Sequence, residues 1–110
     1  MAHQFEDLDA WKTARQLTNC IYDLTEQGCF SRDFGLKDQI QRASVSVMSN
    51  IAEGFESRTD RMFLEYLGRA KASAGEVRAQ LYIALDLKYI DEEQFDTAAD
   101  VCSKASSQCY

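Results

Sequence analysis

Residues 63–84 decide the fold, and they read FLEYLGRAKASAGEVRAQLYIA. Apolar residues recur in this stretch at alternating steps of four and three positions. That heptad spacing is typical of long helices that pack nearly antiparallel in a bundle. The seam consists of Phe63, Leu67, Ala70, Ala74, Val77, Leu81 and Ala84. With Ser57 or Thr59 as the N-terminal cap, the pattern predicts a helix over about 59–87.

The rest of the chain divides into three further helical stretches separated by short polar or Gly-containing breaks. These predicted helices span about 8–27, 35–53 and 91–109. Gly28 and Gly54 are predicted to end the first two, and Asp91 with Gln94 forms a capping box for the last. A length of 110 residues suits one domain, and the absence of Pro favours helices. The sequence therefore predicts an all-α protein, an antiparallel up-down-up-down four-helix bundle over residues 1–110.

A second row on the 59–87 helix contains only small residues: Gly68, Ala72, Gly75 and Ala79. Each mid-helix glycine costs about 1 kcal/mol relative to Ala, so two of them indicate either a tolerated solvent face or a track for close approach of another backbone. The 35–53 helix carries a second apolar strip beside its core positions, which favours contact with another subunit. The predicted oligomer contact comprises Val45, Met48, Phe55, Gly68, Ala72, Gly75 and Ala79.

Residues suited to catalysis are sparse in this sequence. His3 is the only histidine, and the chain contains neither a Glu-x-x-His motif for a di-metal bundle nor a Gly-rich phosphate loop. The four cysteines include no C-x-x-C pair, so we interpret them as reduced core thiols. Glu53 and Glu56 fit a solvated helix end better than an acid–base pair. We therefore predict no enzyme, no catalytic residue, no metal and no cofactor.

The formal net charge of -6 argues against an overall basic nucleic-acid binder. The middle of the chain is locally almost neutral, and its basic side chains either pair with acidic neighbours on a solvated face or form a local phosphate-binding patch. The candidate nucleic-acid-binding residues are Arg42, Arg58, Arg61, Arg69, Lys71 and Arg78. No secretory signal and no apolar run long enough for a membrane span is visible, so we expect a cytoplasmic protein with no membrane partner.

Three blocks of sequence resemble a known family: FGL at 34–36, QIQRASVSV at 39–47 and NIAEGF at 50–55. They are similar to four-helix-bundle proteins encoded in intervening sequences of bacterial large-subunit ribosomal RNA genes, and the resemblance extends from about Phe5 to Phe95. It implies a bacterial protein that assembles as a ring-like homopentamer. Relatives act as accessory proteins of diversity-generating retroelements, so the resemblance also implies a reverse transcriptase or RNA as further partners.

Several positions depart from the family pattern. Met48 and Ser49 stand where relatives often carry Pro-Ala, Arg78 where an acidic residue is frequent, and Lys88 where Gly is common. The retroelement relatives resemble basic barrels, whereas this chain is acidic. We therefore expect a non-enzymatic, self-associating bundle of unestablished biochemical role that acts as an assembly or adaptor protein in a ribonucleoprotein context. The alternative is a direct nucleic-acid-binding accessory protein of a reverse transcriptase or an rRNA intervening sequence.

Overall fold

Four α-helices follow one another along the chain, and they confirm the predicted all-α class. They are α1 (Asp9–Thr25), α2 (Phe34–Phe55), α3 (Asp60–Asp86) and α4 (Glu92–Cys109). Single 3-10 turns at Phe5–Asp7 and Gly28–Arg32 precede α1 and α2. The computed structural model describes residues 2–110, and this part of the chain contains no strand.

Each helix packs mainly against two others. The α2–α3 contact is the most extensive, followed by α3–α4, α1–α2 and α1–α4, while the diagonal pairs barely touch. Because the links are short, sequential helices run antiparallel. The result is an up-down-up-down bundle with principal dimensions of 43 × 23 × 18 Å.

The core lies along the predicted seam of α3. Val77 and Leu81 are fully buried there, while Phe63 at the start of the seam is half-buried and packs against the core cluster. Opposite them, α2 buries the predicted Ile40 and Val47. The spacing of apolar residues therefore identified the inward faces of these two helices correctly.

Side-chain caps fix where three of the helices begin. The carboxylate of Asp33 accepts the backbone N–H of Leu36 at 3.1 Å, and the hydroxyl of Thr59 accepts that of Met62 at 3.1 Å. Asp91 and Gln94 form the predicted capping box, with the Asp91 carboxylate 2.7 Å from the Gln94 amide nitrogen. Each cap satisfies an N–H group that has no partner within its helix.

A left-handed residue ends α3. Lys88 has φ +62°, the backbone N–H of Tyr89 donates to the carbonyl of Ala84, and that of Lys88 donates to the carbonyl of Leu85. These two hydrogen bonds define a Schellman motif, which normally places Gly at the left-handed position. Lys88 therefore adopts a backbone conformation that a Cβ atom disfavours.

Two predicted helix ends were wrong. The first helix ends at Thr25, before Gly28, which has φ +50° and begins a 3-10 turn. Gly54 lies inside α2, which continues to Phe55. A Cβ atom at Gly54 would lie only 2.8 Å from Cβ of Tyr66. Gly54 is therefore needed because α2 and α3 come very close together there, and a sequence pattern could not reveal this tertiary contact.

Candidate functional site

The small-residue row of α3 points away from the core. Ala72, Gly75 and Ala79 are exposed, and Gly68 is half-buried. A Cβ atom built on Gly75 would meet nothing within 4 Å, whereas one on Gly68 would lie 3.5 Å from the Tyr110 hydroxyl. No other helix of the protomer occupies this row along its length.

Large apolar side chains extend the small row at both ends. Leu64, four positions before Gly68, is 59% exposed, and Ile83, four positions after Ala79, is 46% exposed. Tyr82 is 53% exposed, although its ring also packs against Phe95 with 4.7 Å between centroids. We call these residues together the α3 outer face; they are Leu64, Gly68, Ala72, Gly75, Ala79, Tyr82 and Ile83. Apolar side chains beside a smooth helix surface suit contact with another protein.

The predicted contact residues of α2 divide into two groups. Val45 is exposed and, together with Tyr22 of α1, lines a shallow groove of about 650 Å³, which we call the α2 groove. Met48 packs partly against the core, and the ring of Phe55 meets Phe63 edge-on at 6.2 Å between centroids. Much of the apolar surface of Met48 and Phe55 is thus already used within the protomer.

The structure does not bring the six candidate basic residues into one patch. Arg42 on α2 pairs with Asp38 at 2.9 Å, and the Arg61 side chain lies 3.8 Å from the carboxylate of Glu65. Arg58 is exposed in the α2–α3 link, and Arg69 lies over the Tyr66 ring at 5.0 Å. These contacts match the expectation of a solvated, partly paired face more closely than that of a continuous basic surface.

Lys71 and Arg78 are the two candidates that lie together. They line a small pocket between α3 and α4 of about 150 Å³, which we call the α3–α4 pocket. The ammonium group of Lys71 donates to the main-chain oxygens of Ser106 at 3.1 Å and Tyr110 at 3.4 Å. The sequence analysis named both cations as candidates but did not name Ser103 and Ser106 on the opposite wall. Serine is common on exposed helix surfaces, so its presence in α4 does not indicate a binding site.

Polar side chains line the boundary between α2 and α3. The hydroxyls of Ser46 and Ser73 lie 2.9 Å apart, and Asn50 donates to the Ser46 carbonyl at 2.8 Å. The Gln80 amide donates to Gln39 at 3.4 Å, although its own oxygen is buried without a partner. Polar residues of the family-like blocks therefore contribute to helix–helix hydrogen bonding.

The interpretation of all four cysteines as core thiols was wrong for Cys29, which is exposed, whereas Cys20 is half-buried and Cys102 and Cys109 are buried core groups. Burial raises the pKa of Cys102 to about 11, with the nearby charge of Arg78 opposing the shift, and the thiol donates to the Ala74 carbonyl. Burial also raises the pKa of Cys20 and of Cys109. These thiols are therefore protonated at neutral pH, which disfavours nucleophilic or metal-binding roles. The described part of the chain contains no group of three or more potential metal ligands.

Fold and surface define a helical-bundle protein with an unpartnered apolar face. None of its helices between residues 2 and 110 combines the length and apolar character needed to cross a membrane. The chain belongs to the 23S rRNA-intervening sequence protein family, whose model matches residues 6–110.

A solved structure shares this fold. It is a protein of unknown function from the S23 ribosomal protein family of Bacteroides thetaiotaomicron VPI-5482, 19% identical in sequence, with a TM-score of 0.84 over 91% of this chain and 90% of that chain. At this identity the likeness establishes the fold alone. No curated protein matches the chain.

Proposed function

We propose that this chain is a non-enzymatic, cytoplasmic assembly or adaptor protein that self-associates and acts in a ribonucleoprotein context. The observation that carries the proposal is the α3 outer face, where small residues are continuous with exposed Leu64 and Ile83. Monomeric proteins seldom leave contiguous apolar surface uncovered, and small residues allow another helix to approach closely.

The proposed assembly is a ring-like homopentamer, as the family resemblance implies. A closed ring with an odd number of copies requires two different, complementary faces on each protomer. The α3 outer face supplies one of them. The α2 groove supplies the other, because its exposed Tyr22 and Val45 offer apolar surface on a separate helix pair.

Light scattering of a charge-matched pair of variants tests self-association. Ala79→Glu places a carboxylate on the α3 outer face, whereas Gln16→Glu adds the same charge at an exposed position of α1. We expect the wild type and Gln16→Glu to have about five times the chain mass of 12.5 kDa. Ala79→Glu should dissociate, because burying an unpaired carboxylate in a contact is costly.

A wild-type protein that stays monomeric at high concentration would contradict the proposal. Equal assembly by the two variants would show that copies meet elsewhere than on the α3 outer face. A dimer would keep self-association but reject the ring.

Direct nucleic-acid binding is the second candidate, and the clustering of Lys71 and Arg78 favours it. A binder of this kind neutralises phosphates, so its affinity for RNA should fall steeply between low and moderate salt. Titration of wild-type protein into a short RNA at two salt concentrations checks this. If RNA binding is absent or insensitive to salt, direct nucleic-acid binding is rejected and the adaptor function is the remaining candidate.

A further inference from the structure

The α3–α4 pocket combines features of an anion site. The charged groups that line it are the two cations Lys71 and Arg78, and no carboxylate shares the lining. Within residues 2–110, neither cation forms an ion pair with an aspartate or glutamate side chain. Lys71 and Arg78 both bring positive charge to the lining of this pocket, and that charge favours a bound anion.

Lys71 is already fixed at the edge of the pocket. Its ammonium group donates to the main-chain oxygens of Ser106 and Tyr110 and lies 4.6 Å from the centre of the Tyr110 ring, and an ammonium group carries three protons to donate. Arg78 lies two helical turns further along the same side of α3 and presents a guanidinium, the group best shaped for oxyanions. Long side chains at this spacing can converge on one ligand between them.

The opposite wall supplies neutral hydrogen-bond donors. Ser103 and Ser106 of α4 line the pocket, and their hydroxyls can donate to a ligand oxygen. On the α3 side, Gly75 leaves open space where any other residue would place a side chain. This gives the mid-helix glycine a role that its helix propensity does not explain.

The size of the pocket limits the ligand. The pocket has a volume of about 150 Å³, which is small compared with the α2 groove. A tetrahedral oxyanion fits this space, and the rest of a larger ligand would extend into solvent. We infer that the α3–α4 pocket binds a single phosphate group, with Lys71 and Arg78 as its charged ligands and Ser103 and Ser106 as neutral donors.

Titration with inorganic phosphate at constant ionic strength tests the site, followed by the amide NMR signals of Gly75, Ser103 and Ser106. We expect saturable shifts over the millimolar range in the wild type. Arg78→Gln should weaken phosphate binding about tenfold, because it removes a charge-assisted hydrogen bond. The control Arg69→Gln changes the net charge equally on the same helix, where Arg69 lies over Tyr66, and should leave binding unchanged.

Shifts that do not saturate, or equal affinity in the two arginine variants, would overturn the inference. Gly75→Ala gives an independent check, because its methyl group enters the pocket while Ala favours the helix. It should weaken phosphate binding several-fold without loss of stability. Unchanged binding in a folded Gly75→Ala protein would count against the site.

Competition distinguishes the sources of the phosphate group. If a short single-stranded RNA displaces inorganic phosphate from the wild-type pocket, the ligand is a backbone phosphate of nucleic acid. If RNA has no effect while phosphate still binds, the ligand is free phosphate. Arg78→Gln and Arg69→Gln lie outside the α3 outer face, whose self-association Ala79→Glu tests, whereas Gly75 belongs to both the pocket and that face.

Discussion

The inward and outward faces of α3 share one helix and similar kinds of residue, but their surroundings differ. The inward seam, with Val77 and Leu81, is buried against the other helices of the protomer. The outward face combines the small residues Ala72 and Ala79 with exposed Ile83, and no other helix of the bundle covers it. Residue spacing alone thus does not say whether an apolar row is packed within one chain or available to another.

The largest expected contrast between the two faces comes from truncating one side chain on each. Leu81→Ala should lower the free energy of unfolding by about 3 kcal/mol, because it leaves a cavity in the core. Ile83→Ala should change it by no more than about 0.5 kcal/mol in the dissociated protomer. Urea unfolding at low protein concentration measures both. Similar losses for the two variants would mean that the outward face is as tightly packed as the core.

The glycines provide the second contrast. Gly54→Ala should destabilise the protein by about 1–2 kcal/mol, because the added methyl group collides with Tyr66 and the α2–α3 contact must open. Gly75→Ala should stabilise it by about 1 kcal/mol, since the position is open and Ala favours the helix. Thermal unfolding of both at one concentration tests the prediction, and a change of the same sign in both would contradict it.

A third contrast concerns buried and exposed thiols. The pKa of Cys102 is raised to about 11, so the folded state holds its proton more tightly than the unfolded state. The contribution of this proton to the free energy of unfolding is therefore fully present below about pH 9. It is lost as the pH rises to about 11, which lowers the free energy of unfolding by up to about 2 kcal/mol. Urea unfolding of the wild type and Cys102→Ala near those two pH values should show a smaller alkaline loss in the variant.

The exposed Cys29 supplies the control for this experiment. Cys29→Ala removes a thiol outside the core, and we expect most of the alkaline loss of stability to remain in this variant. If Cys102→Ala loses as much stability as the wild type, the alkaline change originates elsewhere.

The smallest expected effect lies where α3 ends. Lys88→Gly should stabilise the protein by about 1 kcal/mol, because Gly adopts the left-handed conformation at little cost. Lys104→Gly in the interior of α4 should destabilise it by a similar amount. Both variants remove one positive charge, so thermal unfolding separates backbone conformation from electrostatics. Destabilisation by both would show that the Schellman motif does not depend on residue 88.

Part of this architecture was predictable from local signals. The seam of α3 and the capping box at Asp91 follow from residue spacing and from short-range hydrogen bonding, so the sequence predicted them. Cap choice was less certain: Ser57 and Thr59 were both chemically suitable, and only the backbone geometry selected Thr59. At the start of α2, Ser31 and Asp33 are both residue types that can cap a helix, and the structure places Asp33 at the cap.

The candidate sites were predictable only in part. The sequence identified the small row and both cations of the α3–α4 pocket, because helical periodicity places residues of one helix on a common side. Arg42 and Arg61 pair with carboxylates four positions away on their own helices, which is one of the two alternatives that the sequence offered. The sequence did not reveal that Lys71 and Arg78 share a pocket with serines of α4, because that contact depends on which residues of separate helices become neighbours.

The sequence by itself determined the number of helices, their inward faces and most of their ends, since periodicity and capping act within a few residues. Tertiary structure decided the roles of Gly54 and Gly75. The missing side chain of Gly54 allows α3 to pack closely against α2, whereas Gly75 faces solvent and lines a pocket. The physical reason is that burial and close approach of a residue depend on the neighbouring helix that packs against it. The residue pattern of one helix carries no information about the position of that neighbour.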